Sequence, residues 1–260
     1  MRLALGIEYN GSDYLGWQRQ EDKLTVQLTL EQALSRIAAS PVSVICAGRT
    51  DAGVHALGQV VHFDTDKERP MHAWLIGANT YLPKNISIKW VKIVDENFHA
   101  RFSAKSRAYR YIIHNIAIPS ALMAGRVTWH RYNLDAEQMD LAAQYLLGEH
   151  DFSSFRSSRC ESKSAMRSVK SISVKRLNDF VVIDIKANAF LHHMVRNITG
   201  VLLRIGSGRE KVTWARDVLL ARDRKIAAET AAPHGLYLYQ VTYPEIYDFP
   251  LPVINSNFCL

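Results

Sequence analysis

The sequence predicts an α+β protein with mixed or antiparallel sheets, and three observations lead there. Short runs of alternating apolar and polar residues are interspersed irregularly with runs of helical periodicity, separated by hairpin-scale gaps. No glycine-rich dinucleotide fingerprint follows the first strand, which argues against a doubly wound parallel sheet. No Pro/Gly/Ser-rich linker, low-complexity tract or close repeat interrupts the 260 residues, enough for one large domain or two ordinary ones sharing a core.

The elements follow in order. Leu3, Leu5, Ile7 and Tyr9 alternate as a first strand that stops at Asn10-Gly11-Ser12. Thr25 is the expected N-cap of a helix over 25–39, with Val26, Leu30, Ala33, Leu34 and Ile37 at helical spacing. Strands are expected at about 43–47 and 58–64, and a helix near 71–79 that ends before Pro83. Ile86, Ile88 and Trp90 alternate as another strand. The second half opens with a strand over 106–114, then a helix from Asp135 that Gly148 is expected to close. Strands at about 168–175 and 180–187 follow. Phe190, Met194, Ile198, Val201 and Ile205 mark a further helix, and "GLYLYQVTY" (235–243) reads as the last strand. The halves are divided at 1–104 and 105–260.

Bulk composition narrows the function. Hydrophobic residues at 48% and charged residues at 22% describe a globular chain and exclude a disordered one. The net charge of +7 comes from 32 Lys plus Arg spread through predicted structure, which suits a polyanionic partner such as nucleic acid. Charge alone fits a merely basic cytosolic protein equally well. Cys46, Cys160 and Cys259 are far apart and form no Cys-x-x-Cys pair, which points to a reducing compartment and away from a disulfide framework or zinc site. Met1–Gly6 runs straight into the first strand, so no signal peptide is expected, and no apolar run approaches a membrane span. A soluble, cytoplasmic protein is the expectation.

One stretch carries chemistry: "CAGRTDAGVHALGQVVHFDT" (46–65) places Asp51 beside Arg49, between Gly48 and Gly53, where two strands meet. Three readings compete. The glycine spacing fits a phosphate loop, but Val54-His55 stand where Lys-Ser or Lys-Thr is required, and Asp51 would repel phosphate. In a structural reading the glycines supply turn geometry and the aspartate bonds nearby amides. In the third, Asp51 is a catalytic carboxylate kept ionised by a guanidinium. No second acidic residue stands close in sequence, so a glycosidase-type carboxylate pair has no local support. In the second half, period two puts Arg107, Tyr109 and Tyr111 on one strand face, usable as a platform for a base or as filling between sheet and helix. Arg196 lies off the apolar stripe of its predicted helix. His192-His193 invites a metal reading, but adjacent helical residues diverge by about 100 degrees and no His-x-x-x-His pair or carboxylate completes a site; metal catalysis is not expected. His62 and His99 are scattered in the same way.

"GRTDAGVHALGQVVHF" closely resembles the signature of the tRNA pseudouridine synthase A family. "IEYNGSDYLGWQRQ" (7–20), "TVQ" (25–27), "NFHARFSAKSRAYRYII" (97–113), "HDFSSFR" (150–156) and "IKANAFLHHMVRNITG" (185–200) resemble it in the same order, so the likeness covers nearly the whole chain. It implies a pseudouridine synthase fold of two similar halves with a central active-site cleft, and isomerisation of uridine to pseudouridine without a cofactor. The implied targets are uridines at positions 38, 39 and 40 of the anticodon stem-loop, and the implied assembly is a homodimer. Asp51 matches the essential aspartate, Tyr109 the active-site tyrosine and Arg196 the arginine paired with the aspartate. Arg49 matches an arginine of the base-flipping site, and Leu236 an apolar residue lining the pocket. His55, Arg107 and Tyr111 join them as candidate substrate contacts. Arg19, Lys23, Lys105, Arg107, Arg159, Lys163 and Arg167 are candidate phosphate contacts. "RSSRCESKSAMRS" (156–168) reads as a loop able to grip RNA. The rival is a non-catalytic RNA-binding or chaperone protein on the same scaffold, which would not need Asp51, Tyr109 and Arg196 together.

Overall fold

The computed structural model describes residues 1–252, so Cys259 lies outside the described residues. The first half runs β1 (Arg2–Tyr9), α1 (Val26–Ala38), β2 (Ile45–Cys46), β3 (His55–Asp64), a π turn (Ala73–Gly77) continued by α2 (Ala78–Tyr81), and β4 (Ile86–Val94). The second runs β5 (Ser106–Asn115), β6 (Thr128–His130), α3 (Ala136–Gln144), β7 (Gly148–Asp151), β8 (Met166–Leu177) and β9 (Phe180–Ala187). It ends with α4 (Met194–Gly206), α5 (Trp214–Ala221) and β10 (Leu236–Thr242). Contacts divide the chain into two compact units. Among the described residues, one contains Met1–Lys105 and 237–252; the other runs from Ser106 to Leu236. The sequence places 105–260 together in the second half, whereas residues 237–252 pack with the first unit. A long-range strand pairing leaves no local pattern to read.

In the first unit the strand order is β4-β1-β3-β10, with β2 against β3. β1 pairs antiparallel with both β3 and β4, while β10 pairs parallel with β3 through Tyr237↔His55 and Leu238↔Ala56. The period-two residues Leu3, Leu5 and Ile7, and Leu30 and Leu34 of α1, have no exposed surface. Each such side chain contributes about 1.5–3 kcal/mol. Thr25 caps α1 as its sequence position predicts, its hydroxyl accepting the Leu28 N–H at 3.4 Å. β2 is shorter than expected, and β3 begins three residues earlier, at His55.

In the second unit β5-β9-β8-β7 pair antiparallel and β6 lies parallel to β5. The sheets are thus mixed, as the sequence predicts. Asp135 caps α3 by accepting the Gln138 N–H at 3.0 Å. The helix ends at Gln144, however, and Gly148, at φ +96°, opens β7 instead of closing α3. Phe190 precedes α4, because His193 at φ 64° interrupts helical geometry just before Met194. Nothing in the sequence reading anticipated α5, β6 or β7.

Candidate active site

Asp51 lies on the loop between β2 and β3, half-buried, and the first unit grips that loop from three directions. The Tyr14–Trp17 turn reaches it by backbone: the Trp17 N–H donates to the Thr50 carbonyl at 3.0 Å, and the Gly53 N–H donates to the Tyr14 carbonyl at 3.3 Å. Gly16 makes that approach possible. Its φ is +88°, and a Cβ there would stand 2.9 Å from the Thr50 oxygen and 3.2 Å from the Asp51 carbonyl carbon. The Tyr9 hydroxyl bonds Thr50 Oγ1 at 2.7 Å. Behind the loop, fully buried Gln59 of β3 donates from Nε2 to the Gly48 carbonyl at 2.6 Å. The Asp51 carbonyl accepts the Val54 N–H at 3.1 Å, closing the turn. These bonds fix the backbone on both sides of Asp51.

The gripping turn is itself anchored to α1. Gln27 accepts the Arg19 N–H at 3.0 Å and donates to Glu31 at 2.9 Å and to the Val44 carbonyl at 3.2 Å. This is the structural content of the "TVQ" segment. Arg49 is exposed beside Asp51 in sequence. His55 is not exposed: only 2% of its surface is accessible, its Nδ1 accepts the Gly11 N–H at 3.0 Å, and its ring stacks on Tyr237 at 4.6 Å. Those contacts place it at the loop's rear.

The second unit presents the tyrosine and arginine. Tyr109 is half-buried on β5, its ring meeting Phe190 edge-on with centroids 5.0 Å apart. Arg107, two residues back, donates to the Asn188 carbonyl at 3.2 Å. Tyr111, next on that face, is fully buried, and its hydroxyl joins Thr128 Oγ1 at 2.6 Å and the Ala232 carbonyl at 2.7 Å. Burial raises its pKa well above the usual tyrosine value, although Thr128 and Arg196 pull the other way. Tyr111 thus has no exposed ring face. It braces the 231–232 segment instead. Arg196 on α4 donates from Nε to the Ala231 carbonyl at 2.8 Å, while the Ala231 N–H donates to the Arg196 carbonyl at 3.1 Å. Gly235 tucks under this segment, where a Cβ would lie 2.6 Å from the Ile112 oxygen, and Leu236, 6% exposed, follows at the start of β10.

A network absent from the sequence reading fixes Ala231. Arg224 donates to the Ala228 carbonyl at 2.8 Å and to Asn197 Oδ1 and Thr230 Oγ1 at 3.1 Å each. Buried Asn197 in turn donates to the Phe155 carbonyl at 2.7 Å. Lone Arg, Asn and Thr residues so far apart in sequence carry no motif that would reveal it.

The basic loop 156–168 is less open than its composition predicts. Arg156 donates to the Cys160 and Ser162 carbonyls at 2.7 and 2.8 Å, and Arg167 donates to Ser162 Oγ and the Ser164 carbonyl at 2.7 and 3.0 Å. Arg167 thus turns inward, while Arg159 and Lys163 stay exposed. Burial opposes ionisation of the Cys160 thiol, but the His192 and Ser162 N–H groups and Arg156 outweigh it and lower its pKa. Of the other candidate phosphate contacts, Arg19 lies 3.6 Å from Glu31, Lys23 reaches Gln20 at 3.3 Å, and Lys105 is exposed.

The first unit thus holds Asp51 on a constrained loop, and the second holds Tyr109 against Phe190 and Arg196 against Ala231. The profile of the tRNA pseudouridine synthase family matches residues 6–103 and 142–244, and the chain belongs to that family. It is an enzyme of the isomerase class. Among curated relatives it is 56% identical over 250 residues to tRNA pseudouridine synthase A of Pseudoalteromonas atlantica, covering 96% of this chain and 95% of that one. It is 57% identical over 245 residues to the protein of the same name from Legionella pneumophila strain Corby, covering 94% of each. Against the Shewanella sp. W3-18-1 protein of that name, identity is 55% over 260 residues and coverage of both chains is 100%. A solved archaeal box H/ACA sRNP Nop10–Cbf5 complex aligns at 10% identity and a TM-score of 0.37, over 86% of this chain and 59% of that one, too distant to carry an argument. Among the described residues no helix is long and apolar enough to cross a membrane.

Proposed function

We propose that this chain converts uridine to pseudouridine in tRNA at positions 38, 39 and 40 of the anticodon stem-loop, as a cytoplasmic homodimer, with Asp51 as its essential carboxylate. The observation that supports this most is the grip on the backbone of the Asp51 loop by Tyr14, Trp17 and Gln59. The reaction breaks the bond from ribose carbon 1 to the ring nitrogen, turns the detached base, and bonds ring carbon 5 to the sugar. Carbon 5 gives up a proton and the freed nitrogen takes one, so atoms balance without oxidant, reductant or water. Asp51 supplies the fixed negative charge. Arg196, its guanidinium oriented by the Ala231 carbonyl, is the arginine the family resemblance assigns to that carboxylate. Tyr109, set edge-on by Phe190, offers its face to the uracil. Taking the target base out of its stack costs a few kcal/mol, and the exposed guanidinium of Arg49 offsets part of that by filling the gap. Leu236 and Arg107 border the bound nucleotide.

Carbodiimide-labelled primer extension on an unmodified tRNA with uridines at 38 to 40 tests the reading, comparing wild type with Asp51→Ala. Stops at those uridines from wild type alone are expected, with the variant still folded and tRNA affinity within a few-fold. A folded wild type that binds the tRNA yet gives no stop there removes the assignment to these positions. No stops on any tRNA would leave a binding protein.

A further inference from the structure

Phe102 is 75% exposed, a large apolar ring held in water on a turn that belongs to no helix or strand. The turn is rigidly built. His99 Nδ1 accepts the N–H groups of both Arg101 and Phe102 at 3.2 Å, and buried His62 Nδ1 accepts the Ala100 N–H at 3.1 Å. Ser103 closes it, its Oγ accepting the His99 N–H and its own N–H donating to the His99 carbonyl, each at 2.9 Å. Three rings lead outward from the core: His62 lies 4.9 Å from His99, which lies 4.3 Å from Phe102 at an interplanar angle of 31°. Both imidazoles are held below the usual histidine range, mainly by burial, so their lone pairs are free to accept at neutral pH.

The chemistry around the ring is cationic. The exposed Arg101 guanidinium stands 5.6 Å from the Phe102 centroid. Arg101 and Arg49 both act on the Cys46 thiol, whose pKa burial raises to about 12 and which these two guanidiniums pull down. Arg49 and Arg101 are both exposed, in a chain of net charge +7. An exposed aromatic adds nothing to the core, and fixing it on a braced turn removes the ordering cost from any partner that stacks on it. A ring face beside guanidiniums fits an unpaired nucleobase and its phosphate.

Resting on the tRNA-modifying reading, we infer that the Arg101–Phe102 turn is a substrate contact, on which an unpaired tRNA base near the target stacks while Arg101 takes a neighbouring phosphate. The test compares Phe102→Ala, Phe102→Trp and Arg101→Gln with wild type, using an unmodified tRNA, fluorescence anisotropy and single-turnover modification. Phe102→Ala is expected to weaken tRNA binding about tenfold, with an unchanged melting temperature because the ring is exposed. Phe102→Trp should restore affinity to within about twofold. Arg101→Gln should weaken binding and make it less salt-dependent. Equal affinity and equal single-turnover rates for Phe102→Ala and wild type would overturn the inference. So would a change in self-association by sedimentation without a change in tRNA affinity, which would make the turn a contact between copies. A wild type that binds tRNA but never modifies it overturns the functional reading alone, since the affinity comparison still decides the contact.

Discussion

His62 is a residue whose place fixes its titration. It sits in β3 opposite Ala4 and Ile45, 2% exposed, and accepts the Ala100 N–H. Burial first, then the charges of Arg2 and His99, depress its pKa to about 4, while Asp64 pulls weakly upward. The native state therefore binds fewer protons than the unfolded chain, whose histidine titrates near 6.5. The sign follows: the contribution is complete above pH 6.5, is lost as pH falls toward 4, and loses nothing more below that. The loss amounts to at most about 3 kcal/mol. Urea unfolding of wild type from pH 7 to pH 4 should show it, and His62→Gln should flatten the slope across that window. An unaltered slope in the variant would mean other groups dominate. At this scale sequence shows only part of the picture. The Gly48–His55 signature marks Asp51, but the same strand-face logic that favoured Tyr109 also favoured Tyr111, which the fold buries. Periodicity names a face; it does not say how far along a strand the cover extends.

At the scale of elements, α4 and the 224–232 segment act as one piece. Gly200 on α4 allows it: a Cβ there would lie 2.0 Å from the Glu229 carbonyl oxygen. Arg224 then ties Ala228 and Thr230 to Asn197, and Ala231 exchanges hydrogen bonds with Arg196. Arg224→Ala removes the donor that ties Ala228, Thr230 and Asn197 together, which at about 1–3 kcal/mol for groups left without a partner should lower stability by roughly 3 kcal/mol. Catalysis should fall further than the lost folded fraction explains, because Arg196 loses its fixed carbonyl partner. Single-turnover rates at a temperature where the variant remains fully folded separate the two effects, and a normal rate there would deny the strap any part in positioning Arg196. Helix starts were legible here: Thr25 and Asp135 are side-chain caps, written in one residue each. Helix ends were not. Gly148 looked like a terminator, yet its left-handed φ serves the turn into β7. The start of α4 depends on a histidine in left-handed geometry, a residue type that signals nothing of the kind in sequence.

For the whole molecule, what matters is that the first unit is discontinuous in sequence. Tyr237 and Leu238 pair with His55 and Ala56 of β3, one turn past Asp51, and the Tyr237 ring covers His55. Farther along, the Tyr243 hydroxyl donates to the Ala100 carbonyl at 2.6 Å, and Phe98 packs against Tyr243, Tyr247 and Phe249 with centroids 5.3, 4.9 and 5.3 Å apart. The unit thus draws core aromatics from both ends of the described chain, which no linker or composition shift announces. Residues 1–105 alone would expose Phe98 and an unpaired β3 edge, both invitations to aggregate. That fragment is expected to lack a cooperative urea transition. Joining residue 105 to residue 237 through a Gly/Ser linker of about 10 residues, with an end-to-end reach of roughly 17 Å, and continuing to residue 252 should restore one. The Thr242 carbonyl already accepts the Lys105 N–H at 2.8 Å, so β10 runs past the point where the linker begins and a span of one strand length suffices. Circular dichroism through the unfolding curve decides it. A sharp, reversible transition from residues 1–105 alone would show that the returning segment decorates the unit rather than completing it.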